Sequence, residues 1–249
     1  MLILISYPVN RHMPLYPNTP AIEYHSFRSM EKGDNSDHTL VSLSCHTGTH
    51  IDTPRHFCLN GSDVARSLRP VNSFSPAYCI DLDGRGDTSI VPEDLDPLIA
   101  PSMTDALAIL IRTGWSSCRA NNPEEYVSDN PWVEESTADF LRARFPEIRL
   151  LGIDTISIGN LHHREEGRAS HRAFLCRDNP IMLLEDADLS DPRISGGPFQ
   201  ISIFPLVIDA VEATPVVATI ESVNRDRRNR QKEQICKRDK CSIVLGEYE

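Results

Sequence analysis

Residues 44–57 read SCHTGTHIDTPRHF and place His46, His50, Asp52 and His56 all on even-numbered positions. In an extended chain, side chains of one parity point to one side, so these four donors would share a face, with Gly48 leaving an open gap among them. Imidazole nitrogens and one carboxylate are borderline-to-hard donors suited to Zn²⁺, Mn²⁺ or Fe²⁺. Three such ligands leave a coordination position free for water, as a catalytic site requires. Any one of these histidines alone reads as an ordinary strand-end side chain satisfying hydrogen bonds. The spacing H-x-G-T-H-x-D-x-P-x-H as a unit is more specific than that, because Gly48 admits close backbone approach and Pro54 stiffens the exit toward His56. A divalent cation held here polarises a carbonyl and lowers the pKa of a bound water from about 15.7 to around 7, which is hydrolytic chemistry.

Such a site needs a scaffold, and the apolar runs supply one. Strands are expected over Leu2–Ser6, Thr39–Ser44, Tyr78–Leu82, Ala108–Arg112, Leu150–Ile153, Ile181–Leu184, Ile201–Leu206 and Val216–Ile220. A helix is expected from Ser136, with Ala138, Leu141 and Phe145 at helical spacing before Pro146 stops it. A second is expected from about Ser170 through Cys176, and 161-LHHREEGR-168 before it reads as a polar loop. Strand–helix–strand passages joined by hairpin-like turns predict an α/β fold: a mixed β-sheet core with packed helices in a single domain. The length of 249 residues and the apolar fraction of 40% agree with one buried core. Domain 1–221 carries all of these signals. From 222 to 249 the composition changes, with eight basic residues against three acidic ones between Asn224 and Lys240. That segment is expected to be a solvated basic extension, with subunit docking as the alternative.

The formal net charge of −11 argues against general nucleic-acid binding, which needs basic surface against phosphates. The opening MLILI is too short for a membrane span or a signal peptide and reads as a strand. Seven scattered cysteines without a C-x-x-C pair suggest neither a disulfide framework nor a thiolate zinc site, so a reducing, cytoplasmic setting is expected. No G-x-S-x-G elbow, G-x-G-x-x-G or P-loop occurs, so no organic cofactor is implied.

The string HTGTHIDTPRHF resembles the signature of the metal-dependent cyclase family, which includes kynurenine formamidases and isatin hydrolases. Other pieces agree in order: residues 5–20 (ISYPVNRHMPLYPNTP) are similar to the family's opening segment, and 111-IRTGWS-116 and 152-GIDTISI-158 to its central strands. The segments 205-PLVI-208 and 214-TPVVATI-220 are similar to its closing hairpin, so the resemblance spans roughly residues 3–221. It implies a swivelling β/β/α-like arrangement, with His46, His50 and Asp52 as metal ligands and His56 as general base or proton shuttle. It also implies a later His and Glu, placed at His171 and Glu185, with Asp186 as the substitute for Glu185. The residues themselves agree in part: Glu185 ends the apolar run IMLL, where a carboxylate needs a partner because burying an unpaired charge is costly.

The expected cofactor is Zn²⁺ or Mn²⁺, as one or two ions. The expected activity is hydrolysis of a non-peptide C–N amide bond in a small carbonyl compound, arylformamidase-like, with N-formylkynurenine as the first substrate. A cyclic amide such as isatin is the alternative. An inactive metal-holding structural or interaction subunit is the alternative from another class. The resemblance implies a homodimer or homotetramer, and no nucleic-acid or membrane partner is expected. His162 and His163 are read as pocket-lining groups ahead of ligands. Tyr16, Phe57, Trp115 and Trp132 are candidates to line an aromatic-accepting pocket.

Overall fold

The computed structural model describes residues 1–69, 71–82 and 86–223. The basic extension from 224 onward lies outside the described residues. The first strands in chain order are β1 (Leu2–Leu4), β2 (Glu23–Arg28), β3 (His38–Ser42), β4 (His50–Asp52), β5 (Asn72–Asp81) and β6 (Ser89–Ile90). They are followed by β7 (Ala108–Arg112), β8 (Trp132–Val133), β9 (Leu150–Ile153), β10 (Met182–Glu185), β11 (Gly196–Pro205) and β12 (Ala213–Ser222).

Eight of these form one mixed sheet in the order β1-β12-β11-β5-β7-β9-β10-β4. The short strand β4 also pairs with the start of β12, so the sheet closes on itself into a barrel-like core, and β1 joins the far end of β12. The run β5-β7-β9-β10 is parallel, and the remaining pairings in this sheet are antiparallel. Parallel strands covered on both faces need apolar residues on both, and AILIR and LLGI supply them. Alternate residues serve different layers. Ala108, Leu110, Leu150, Met182 and Leu184 pack inside the barrel. Ile109, Ile111, Leu151, Ile153 and Leu183 face an outer layer with Leu141 and Phe174 from the helices Ser136–Arg144 and Arg164–Leu175 and with Phe145, which caps the first of them. The mixed α/β single-domain architecture is the one expected.

The differences are local. Among the described residues, strands β2 and β3 pair only with each other, as an arm whose residues are almost all exposed, so the run expected at Thr39–Ser44 is not part of the main sheet. The second helix begins at Arg164 and ends at Leu175, whereas the sequence suggested a start near Ser170. Its first turns are polar because they face solvent, with Gly167 buried among them. The cysteine reading is corrected as well: Cys58 and Cys176, 118 residues apart, form a disulfide with their Cα atoms 5.6 Å apart. Spacing along the chain could not reveal a pair made adjacent only by the fold, and the pair removes the cysteine-based reason for a reducing setting. No helix among the described residues is long and apolar enough to cross a membrane.

Candidate metal centre

His50 and Asp52 lie on β4, but His46 sits in a turn and His56 ends the short 3₁₀ turn Pro54–His56. The single extended face expected for all four residues is therefore realised only by His50 and Asp52. Turns on both sides bring in the others. Gly48 takes φ +67°, the left-handed conformation that favours glycine, and redirects the chain before β4. Pro54 occupies the first position of the 3₁₀ turn, where its fixed φ and missing N–H are tolerated.

The rest of the centre arrives from distant elements. In the β4–β10 pairing Glu185 lies directly opposite His50, which sets their side chains on one face. His171 comes from the helix Arg164–Leu175. The resulting distances are short: His50 Nε2 lies 3.5 Å from Asp52 Oδ1 and 3.4 Å from Glu185 Oε2. His171 Nε2 lies 3.4 Å from Glu185 Oε1 and 4.0 Å from Asp52 Oδ2. His46 Nδ1 is 3.1 Å from Asp52 Oδ1, and His56 Nε2 is 3.8 Å from Asp52 Oδ2. Two donor groups share Asp52, namely His46–Asp52–His56 and His50–Asp52–Glu185, each with its ligand atoms within 4.8 Å of one another. The structure thus gathers His46, His50, Asp52, His56, His171 and Glu185 at one place.

The alternative carboxylate points elsewhere. Asp186, at φ +51°, accepts hydrogen bonds from Arg119 Nε at 2.7 Å and Nη2 at 2.9 Å and from the Tyr126 hydroxyl at 2.6 Å. His162 and His163 stand beside Asp129 and Asp87, at 3.5 and 3.0 Å, outside the cluster.

The electrostatics of the cluster are those of a candidate cation site. Among the described residues, His50 Nε2 and both Asp52 carboxylate oxygens are buried without a hydrogen-bond partner, a condition that costs free energy unless another group meets them. The outer nitrogens of two histidines are occupied: the Nδ1–H of His50 donates to Gly48 O and that of His171 to Gly167 O, both at 2.7 Å. A carbonyl only accepts, so each ring carries its proton outward and turns Nε2 inward. Burial by itself lowers the His50 pKa, but Glu185 and Asp52 carry it up to about 9. Burial likewise raises the pKa of Glu185, but His171 and His50 bring it well below the usual carboxylate range. Cations and protons compete for the same inward atoms in such a cluster. His56 behaves differently: burial first, then the neighbouring His46 and His171, pushes its pKa down to about 4 against the pull of Asp52.

Several supporting residues were not among the expected site residues. Ser157 Oγ and the Ile158 N–H donate to Glu185 Oε1 at 3.1 and 2.7 Å and fix that carboxylate. Glu212 Oε1 lies 3.3 Å from His46 Nε2, brought there by the β4–β12 pairing. A cavity of about 330 Å³ opens over the cluster, with Tyr16, Phe57, Ile156, Arg164 and Arg168 in its wall. Of the four aromatic candidates, Tyr16 and Phe57 line it. Trp115 packs with Tyr126 and Ile156, and Trp132 stacks on His163.

The Cyclase family model matches residues 3–160. The chain belongs to the cyclase family. It is 27% identical over 219 residues to the kynurenine formamidase of Bacillus cereus, covering 88% of this chain and 96% of that one. It is 26% identical to the kynurenine formamidase of Geobacillus thermodenitrificans over the same fractions. Among solved structures, isatin hydrolase A from Labrenzia aggregata bound to benzyl benzoate aligns with a TM-score of 0.68 at 20% identity, over 90% of this chain and 94% of that chain. A predicted metal-dependent hydrolase from Bacillus stearothermophilus aligns at 0.65 and 21% identity, over 88% and 97%. These structural likenesses establish the cyclase fold.

Proposed function

We propose that this cyclase-family chain is a metal-dependent amide hydrolase acting on an arylformamide, with N-formylkynurenine as its first candidate substrate. The observation that carries the reading is the convergence of two carboxylates and four imidazoles on buried, unpartnered acceptor atoms at the floor of a cavity. His46, His50, Asp52, His171 and Glu185 form a donor set of the kind that holds Zn²⁺ or Mn²⁺, and the shared Asp52 accommodates one ion or two. When bound, such a cation supplies electrophilic polarisation of the carbonyl and an acidified water.

The remaining work falls to the chain's own side chains. His56, with Nε2 3.8 Å from Asp52 Oδ2 and its ring in the cavity wall, is placed for its imidazole to accept a proton from attacking water and return it to the departing aryl nitrogen. Its neighbour Phe57 stacks on His171 at 4.7 Å between ring centroids, which fixes both rings. Tyr16, Phe57 and Ile156 offer apolar surface to an aryl group, and Arg164 and Arg168 place positive charge in the wall for a substrate carboxylate. Relatives named kynurenine formamidase, matched over nearly their full length, support this choice of substrate. A homodimer or homotetramer is part of the reading, supported by the apolar side chains Leu2, Leu4, Phe204 and Val217 exposed on β1, β11 and β12.

The test is turnover of a panel by zinc- and manganese-loaded protein: N-formylkynurenine, formanilide and isatin. The proposal expects kcat/KM to fall in that order. Turnover of isatin with inert formamides would move the chain to cyclic amides. Metal-loaded protein inert toward all three would support the reading as a non-catalytic metal-holding subunit.

A further inference from the structure

We infer that Glu212 is the positioning residue of the centre, a carboxylate that fixes the tautomer of His46 so that its Nδ1 lone pair faces the cation. The inference rests on the reading of the cluster as a divalent-cation site and concerns a residue that no motif in the sequence marks.

The three inward histidines are not held alike. His50 and His171 each donate an outer Nδ1–H to a backbone carbonyl at 2.7 Å and present Nε2 to the carboxylates. His46 is reversed. Its Nδ1 is the inward atom, 3.1 Å from Asp52 Oδ1, and its Nε2 faces outward, where Glu212 Oε1 stands 3.3 Å away. A neutral imidazole carries one proton, and a cation on the Asp52 side requires the unprotonated nitrogen there. The proton must then reside on Nε2, where an anionic acceptor stabilises it more than a carbonyl does.

Glu212 is also built into position. Its carbonyl accepts from Thr53 N at 3.0 Å and from Thr53 Oγ1 at 2.7 Å, and Ala213 pairs in register with Asp52. The strand that carries Asp52 and the residue that follows it therefore anchor the carboxylate serving His46. This arrangement differs from a ligand role, because Glu212 meets the outer nitrogen of His46, and its side chain is 38% exposed where that of Asp52 is fully buried.

The test uses the full chain stripped with a chelator and titrated with zinc, together with ¹⁵N NMR of the histidine rings in the zinc-loaded form. In the wild-type chain His46 should show a protonated Nε2 and an unprotonated Nδ1. Glu212→Ala should weaken zinc binding about 10- to 100-fold, the usual effect of losing such an orienting partner. Glu212→Gln keeps an acceptor oxygen and should retain the His46 tautomer, with affinity within about threefold of wild type, since it loses charge assistance alone. Unchanged affinity and tautomer in Glu212→Ala would overturn the inference and leave the cation site standing. Equal loss in Glu212→Gln and Glu212→Ala would overturn it too, by making the carboxylate itself a ligand. A wild-type chain that takes up no zinc would overturn the underlying reading and the inference with it.

Discussion

Gly167→Ala is a sharp test of how the fold sets the centre's dimensions. Gly167 lies within the helix Arg164–Leu175 and packs against Gly159, and its carbonyl receives the His171 Nδ1–H. A Cβ at 167 would stand 3.1 Å from Gly159 Cα, and a Cβ at 159 would stand 3.3 Å from Gly167 Cα and 3.6 Å from His171 Cε1. The neighbour in each case is backbone, which cannot rotate away as a side-chain end can. That backbone belongs to the loop whose Ser157 and Ile158 grip Glu185. Two opposing effects follow. Alanine in a helix interior gains about 1 kcal/mol over glycine. Overpacking costs about 1–3 kcal/mol. The net expectation is a loss of roughly 0–2 kcal/mol, or up to about 8 °C in Tm at this chain length. The larger consequence is geometric, because the helix must move by a few tenths of an ångström and carry His171 away from Glu185, 3.4 Å distant. Zinc affinity should fall about tenfold, in the range seen when the support of a ligand is disturbed. Thermal melts of chelator-stripped protein and zinc titration against a competing chelator would measure the two effects separately. A higher Tm with unchanged zinc affinity would refute the reasoning, since it would show that the glycine contact leaves room for a methyl group.

The other expectations concern single residues. His50→Ala should abolish both zinc binding and turnover, whereas His56→Ala should keep most of the metal and lose about a hundredfold or more in kcat; metal analysis beside kinetics distinguishes the two roles, and equal metal loss would make His56 a ligand. Asp186→Asn leaves the largely buried Arg119 without its counter-charge and should cost about 3–5 kcal/mol in urea unfolding; a change below 1 kcal/mol would mean that the pair is solvated. Replacing Cys58 and Cys176 by Ser opens a loop of 118 residues and should cost up to about 5 kcal/mol in the chain-entropy account, read as a lower denaturation midpoint that reducing agent reproduces in the wild-type chain alone.

The parts of the fold legible in the sequence are those governed by local or continuous patterns. Strands β7 and β9 match their expected bounds at both ends, because a parallel strand buried on both faces announces itself as an unbroken apolar run. The signature at 46–56 was legible because its turns, Gly48 and Pro54, lie within it. Glu185 stood out as a carboxylate ending an apolar strand. What could not be read depends on pairings formed at long range. The strand β4 is three residues long and gains its place from β10 on one side and β12 on the other, so Glu212 enters the centre only once the barrel closes. The Cys58–Cys176 pair and the contact of Gly159 with Gly167 belong to the same class. The first turns of the helix from Arg164 carry no helical pattern in the sequence, because their charges face solvent and leave Gly167 as the single buried residue there.

Hydrolysis of N-formylkynurenine by one preparation carried through three states tests the central claim most directly: as purified, stripped with a chelator, and reloaded with zinc or manganese, with His50→Ala in parallel. The account predicts that stripping removes turnover, that reloading restores it in the wild-type chain, and that reloading restores nothing in His50→Ala, which has lost a ligand whose inward Nε2 lies 3.4 Å from Glu185 and 3.5 Å from Asp52. Full turnover by the stripped chain, or restoration in His50→Ala equal to that of the wild type, would contradict it.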